Sequence, residues 1–193
     1  MKLSPDAPFT WASGWKSPIY CDNRKTLSYP QTRELIRASF ADQVQELYPG
    51  AEVIAGVATG GIAIGALVAS TLGLPFVYVR SGQKKHGLGN QIEGVVPAGK
   101  QVVVIEDLVS TGKSSLQAVE ALREAGAYVL GMLAIFSYNF DVAAQNMQQA
   151  GCAFHALTDY NTLLPVAETS GYIKPEQQAA LKAWRSNPAA WGQ

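Results

Sequence analysis

Residues 102–115 read VVVIEDLVSTGKSS and hold the chain's densest group of reactive side chains. Val102, Val103, Val104 and Ile105 form a short apolar β run that ends in two adjacent carboxylates, Glu106 and Asp107. A turn of small residues, Ser110-Thr111-Gly112, follows and opens a helix. A helix N-terminus offers unpaired N–H groups and a partial positive charge, which suit a phosphate. Carboxylates repel a phosphate and instead suit hydroxyl groups or hydrated Mg²⁺. One ligand carrying both a phosphate and a polyol, such as a ribose phosphate, satisfies the two demands together. A P-loop is excluded. It needs glycine five residues before Gly112, where Asp107 stands, and a carboxylate there opposes a triphosphate.

Three other stretches carry chemistry. The segment from Arg80 to Glu93, RSGQKKHGLGNQIE, holds Arg80, Lys84, Lys85 and His86 among three glycines, with no acid before Glu93. A polar loop of that length over 80–99 reads as a mobile lid for a phosphate-rich substrate. The turn V57-A-T-G-G61 can present N–H groups to an anion, and reads equally as a plain helix start. Near the N-terminus Trp11, Trp15, Lys16, Tyr20 and Arg24 could sandwich a planar anion, with arginine forking a carboxylate, or could simply pack on the core.

These groups need a frame, and the pattern supplies one. The helical spacing of Leu35, Ile36, Phe40, Val44 and Leu47 predicts a helix over 30–47. Strands at 53–58, 75–79, 101–106, 128–136 and 153–157 then alternate with helices at 61–72, 113–125 and 140–150. Helical segments at about 160–170 and 175–186 close the chain, while residues 1–29 show no period. The alternation predicts an α/β fold, a parallel sheet flanked by helices. No charge lies between Glu52 and Arg80, but glycines and Pro75 break that stretch into strand, helix and strand rather than a membrane span. A length of 193 residues, 48% hydrophobic, suits one domain with a large core. Fifteen basic and fifteen acidic residues leave no net pull toward nucleic acid or membrane. Two distant cysteines, Cys21 and Cys152, and no apolar leader predict a cytoplasmic protein.

Together the motifs resemble the type I phosphoribosyltransferases, and among them the orotate phosphoribosyltransferases of the shorter bacterial form. VVVIEDLVSTGKSS is similar to that superfamily's signature for 5-phospho-α-D-ribose 1-diphosphate (PRPP). SPIYCDNRKTLSYP (17–30) resembles the base-binding segment, and YVRSGQKKHGLGNQIEG (78–94) the catalytic loop. The resemblance implies a single domain over 1–193 with a small hood (about 1–45), a core (about 50–160) and C-terminal helices (about 160–186). It implies that Glu106 and Asp107 contact the ribose 2- and 3-hydroxyls. Leu108, Val109, Ser110, Thr111, Gly112, Lys113 and Ser114 would hold the 5-phosphate, with Ser110 also reaching orotate. Ala58, Thr59 and Gly60 would form the diphosphate turn. Arg80, Lys84 and His86 would come from the partner subunit of a homodimer, close on the diphosphate and act in catalysis together with Asp107. Mg²⁺ would bind through substrate and water rather than through side chains. The chain departs from the pattern in several places. Ser81 stands where many relatives have a second loop lysine, for which Lys85 could substitute, and Ala12 where longer relatives have lysine. Tyr20-Cys21 replaces an aromatic pair. FSYNFD (136–141) lacks the arginine that binds orotate, leaving Arg24 and Tyr20 as the orotate candidates. The rival implications are transfer to another base, such as a purine, and a non-enzymatic PRPP sensor.

Overall fold

Apolar runs and helical stripes fold in the predicted order. The computed structural model describes residues 2–4, 7–11, 14–80, 91–95 and 97–191. The aperiodic N-terminus forms four two-residue strands: β1 (Lys2–Leu3), β2 (Phe9–Thr10), β3 (Lys16–Ser17) and β4 (Ile19–Tyr20). A 3₁₀ segment, Asn23–Ser28, leads into α1 (Pro30–Leu47). Pro30 starts α1, where its missing N–H has no intrahelical partner to lose. Then follow β5 (Val53–Val57), α2 (Gly60–Leu72), β6 (Phe76–Val79), β7 (Ile92–Glu93), β8 (Gln101–Val109) and α3 (Lys113–Glu124). The chain continues through β9 (Tyr128–Ser137), α4 (Asp141–Gln149), β10 (Phe154–Asp159), α5 (Tyr160–Thr169) and α6 (Pro175–Ser186).

Two compact units result. The larger, residues 23–160, holds a six-stranded sheet of order β10-β9-β8-β5-β6-β7. Its strands run parallel except β7, which pairs antiparallel with β6. Alternate residues build a core on each face. Val102, Val104, Met132 and Ala134 pack with Val119, Leu122 and Met147 of α3 and α4. Val103, Ile105, Leu133 and Ile135 pack with Ile36, Phe40, Ile64 and Val68 of α1 and α2. Each such side chain contributes about 1.5–3 kcal/mol by leaving water, so the central strands are rigid supports for whatever stands at their ends. The smaller unit, residues 1–22 and 161–193, pairs β1 with β4 and β2 with β3. Trp184 of α6 anchors it. Its ring is fully buried, donates Nε1–H to the Lys16 carbonyl at 3.2 Å, and meets Trp11 edge-on at 5.8 Å.

Two expectations need correction. The 80–99 stretch is not loop throughout, because Ile92–Glu93 adds an edge strand to the sheet. The strand expected to stop at 106 runs on to Val109, because β9 continues to pair with it (Leu108↔Phe136, Val109↔Ser137). The uncharged 53–79 stretch is strand, helix and strand as expected, and no described helix is long and apolar enough to cross a membrane.

Candidate active site

The chain steps from β5 to β6 in one direction and to β8, β9 and β10 in the other. The crevice at the carboxyl ends of β5 and β8 is therefore a topological switch point, where α/β sheets bind ligands. β5 pairs with β8 only as far as Gly56↔Ile105. Beyond that register β8 has a strand neighbour on one side, and the start of α2 closes on the other. Two glycines permit this approach. A Cβ on Gly60 would overlap the Asp107 carboxylate, and one on Gly61 would overlap the Ile105 carbonyl. The Ala58–Thr59 peptide bond in this turn is cis, and Thr59 is exposed. The glycine turn thus meets the acidic pair, a convergence the sequence left open.

The two acids differ in burial, although their side chains stay in contact. Glu106 is 5% exposed. Its Oε1 accepts the Asp107 N–H and its Oε2 accepts the Ser115 hydroxyl, both at 2.8 Å. Burial, reinforced by the neighbouring Asp107, pushes its carboxyl up to about 8. Asp107 is half-buried beside Gly60, and its carbonyl accepts the Asn23 amide N–H at 2.7 Å. Asp107 faces the crevice. Glu106 is turned inward, where it braces the first turn of α3 through the buried Ser115.

The turn between β8 and α3 is built around Gly112, whose φ of 79° favours glycine. Gly112 is the N-cap of α3 and, having no side chain, leaves the first turn without a side-chain cap. The early N–H groups keep their capacity to meet an anion. Leu108, Ser110 and Thr111 are half-buried, Lys113 and Ser114 are exposed, and buried Val109 can offer only main chain. α4 supports the turn from behind. Asn146 Nδ2–H donates to the Thr111 carbonyl at 2.8 Å, and the Met147 methyl lies against Gly112. α4 is itself fixed to α3 by Arg123, which donates to the Ala150 and Gly151 carbonyls at 2.7 and 3.0 Å, a cation at a helix C-terminus.

Of the remaining candidates, Arg80 directly follows β6, donates its N–H to the Gln91 carbonyl at 2.9 Å, and sets Nε 3.1 Å from Glu93 of β7. That ribbon is the stem of the 80–93 segment. Lys84, Lys85 and His86 lie outside the described residues. Arg24 is exposed on the 3₁₀ segment, next to the Asn23 that touches Asp107. Tyr20 belongs to the smaller unit, its ring 5.6 Å from Phe9. The FSYNFD corner is held by Asn139 (φ 54°), which donates its N–H to Ser137 Oγ and its amide to Asp159. Sequence reading missed Asn23, Ser115 and Asn146. Asn23 and Asn146 are single polar residues whose partners lie 84 and 35 positions away, whereas Ser115 meets Glu106 within the same motif. Among the described residues no cluster of three or more His, Cys, Asp and Glu could hold a metal. A single half-buried carboxylate, Asp107, is nonetheless a donor that suits Mg²⁺, which keeps most of its waters.

Residues 28–152 match the family model for a phosphoribosyl transferase domain. The orotate phosphoribosyltransferase of Porphyromonas gingivalis is 55% identical over 192 residues, covering 100% of this chain and 91% of that protein. That of Listeria innocua is 52% identical over 190 residues, covering 98% and 91%. The crystal structure of orotate phosphoribosyltransferase from Aeropyrum pernix superposes with a TM-score of 0.74 at 29% identity, over 86% of this chain and 92% of that one. Identity of this degree over nearly the full length, with a matching overall fold, establishes that the chain belongs to the phosphoribosyltransferase family, among its orotate phosphoribosyltransferases.

Proposed function

We propose that the chain transfers the 5-phosphoribosyl group of PRPP to orotate, giving orotidine 5′-monophosphate and diphosphate, a step of pyrimidine biosynthesis. The observation that carries this reading is the meeting of Asp107, the 58–60 turn and the 110–114 turn at one switch point. In it the α3 N-terminus and the Thr111 and Ser114 hydroxyls hold the 5-phosphate, and Asp107 accepts the ribose hydroxyls. Thr59 and Gly60 receive the diphosphate. Glu106 serves from behind, holding Ser115 and with it the phosphate turn. Arg24 and Ser110 take orotate.

The ring nitrogen of orotate forms its bond to the anomeric carbon as the bond from that carbon to diphosphate oxygen breaks, and the nitrogen loses its proton. Charge builds on the sugar ring in an oxocarbenium-like state, as in glycosyl transfer generally. No protein nucleophile is needed. Catalysis is positioning plus charge stabilisation. Arg80, Lys84 and His86, donated by the second subunit of a homodimer, stabilise the departing diphosphate and keep water out. One such contact supplies about 3 kcal/mol, roughly 10²-fold in rate. When bound, Mg²⁺ neutralises diphosphate charge, and Asp107 is the residue that would hold its water shell. Two cysteines far apart in sequence, Cys21 and Cys152, fit a reducing cytoplasm. The test is loss of orotate absorbance on adding PRPP and Mg²⁺ to the purified protein. Turnover supports the reading, and its absence with orotate alongside turnover of a purine refutes it.

A further inference from the structure

We infer that Asn23 is a positioning residue that couples the two substrate sites, tying the segment that bears Arg24 to the strand that bears Asp107. The inference rests on the function proposed above. The Asn23 amide donates to the Asp107 carbonyl at 2.7 Å across 84 positions of sequence. β5 pairs with β8 no further than Ile105, so a side chain, not a sheet neighbour, engages β8 here. The acceptor belongs to the same residue whose carboxylate stands against Gly60. Any tilt of that peptide moves the carboxylate.

The segment on the other side of the bond is suited to transmit such a movement. No residue of Asn23–Ser28 is buried, so burial in the core does not fix it. It holds its own shape, because Thr26 Oγ1–H donates to the Asn23 carbonyl at 2.6 Å and Arg33 donates to the Leu27 carbonyl at 3.0 Å. A semi-rigid segment with an exposed arginine at its start, pinned to Asp107 by the Asn23 amide, carries occupancy of one site to the other. Ribose hydroxyls that fix Asp107 fix Asn23, and Arg24 is then placed for the orotate carboxylate. Orotate bound at Arg24 acts back on Asp107 by the same amount, since coupling of binding free energies is reciprocal.

The experiment titrates orotate calorimetrically into the full-length protein, with and without saturating ribose 5-phosphate. That pair fills both sites and cannot react, because no diphosphate is present to leave. Ribose 5-phosphate is expected to tighten orotate binding to the wild type at least about fivefold. Asn23→Asp keeps the shape and removes the donor, and Asn23→Ala removes the side chain. In both, the tightening is expected to fall below about twofold, while ribose 5-phosphate alone still binds and the melting temperature is held. Tightening in both variants equal to the wild type overturns the inference, as does a wild type with none. Loss of folding, or of ribose 5-phosphate binding, in both variants makes Asn23 a scaffold residue and equally overturns it. A wild type that binds neither ligand refutes the proposed function itself.

Discussion

Glu106 and Asp107 are chemically alike and adjacent, yet one strand position sends the first into the core and the second into the crevice. The difference is measurable. The Glu106 carboxyl stands at about 8, against 4.5 for an unburied glutamate. Between those values the folded protein holds a proton that the unfolded chain has lost. Stability therefore falls as pH rises through that window, and the full cost of the buried charge stands above it. Glu106→Gln has no charge to bury, so its melting temperature relative to wild type is expected to improve by several degrees from about pH 5 to about pH 9. Calorimetry at both ends of the range reads this directly, and a pH-independent difference would contradict it. Arg24 makes a second prediction at this scale. Arg24→Ala is expected to raise the KM for orotate roughly tenfold or more while leaving that for PRPP near wild type, as loss of a charge-assisted contact requires. An equal rise in both constants would count against a carboxylate-binding role.

Among the elements, the turn between β8 and α3 depends on α4 for support. Asn146→Ala removes the donor to the Thr111 carbonyl. A net hydrogen bond of about 1.4 kcal/mol corresponds to roughly a tenfold rise in the KM for PRPP, with that for orotate little changed. Steady-state kinetics with each substrate varied in turn separates the two. Elements were the part of this fold most legible in the sequence. Runs such as VVVI and stripes such as Ile36, Phe40 and Val44 carry their period locally, and the acids with Ser110-Thr111-Gly112 could be read as a phosphate turn from residue types alone. What escaped notice is set by pairing across the fold. β8 runs on to Val109 because β9 is there to pair with it, and β7 exists because β6 offers it an edge. Asn23 and Asn146 matter through partners that only the topology brings near. The unequal burial of Glu106 and Asp107 depends on the packing around the end of β8, which residue types alone do not give.

For the whole molecule, the proposed homodimer places catalytic residues in two different chains. Lys84→Ala and Asp107→Ala homodimers should each be nearly inactive. Mixed and reassembled, half of the dimers would pair one chain of each kind. One of the two sites in such a dimer then combines an intact Asp107 with an intact partner loop, so activity should recover to about one quarter of wild type. Recovery that stays at the level of the separate variants would mean that each loop serves its own chain. Sheet order sets the rest of the arrangement. The reversal between β5 and β8 opens the only place where the glycine turn, the acid and the uncapped α3 N-terminus converge among the described residues.

A crystal structure with orotidine 5′-monophosphate bound tests the central claim most directly. The account predicts the phosphate on the main-chain N–H groups of residues 110–114, the ribose hydroxyls on Asp107, and the base beside Arg24. A nucleotide whose phosphate sits away from the α3 N-terminus, or whose ribose makes no contact with Asp107, would contradict it.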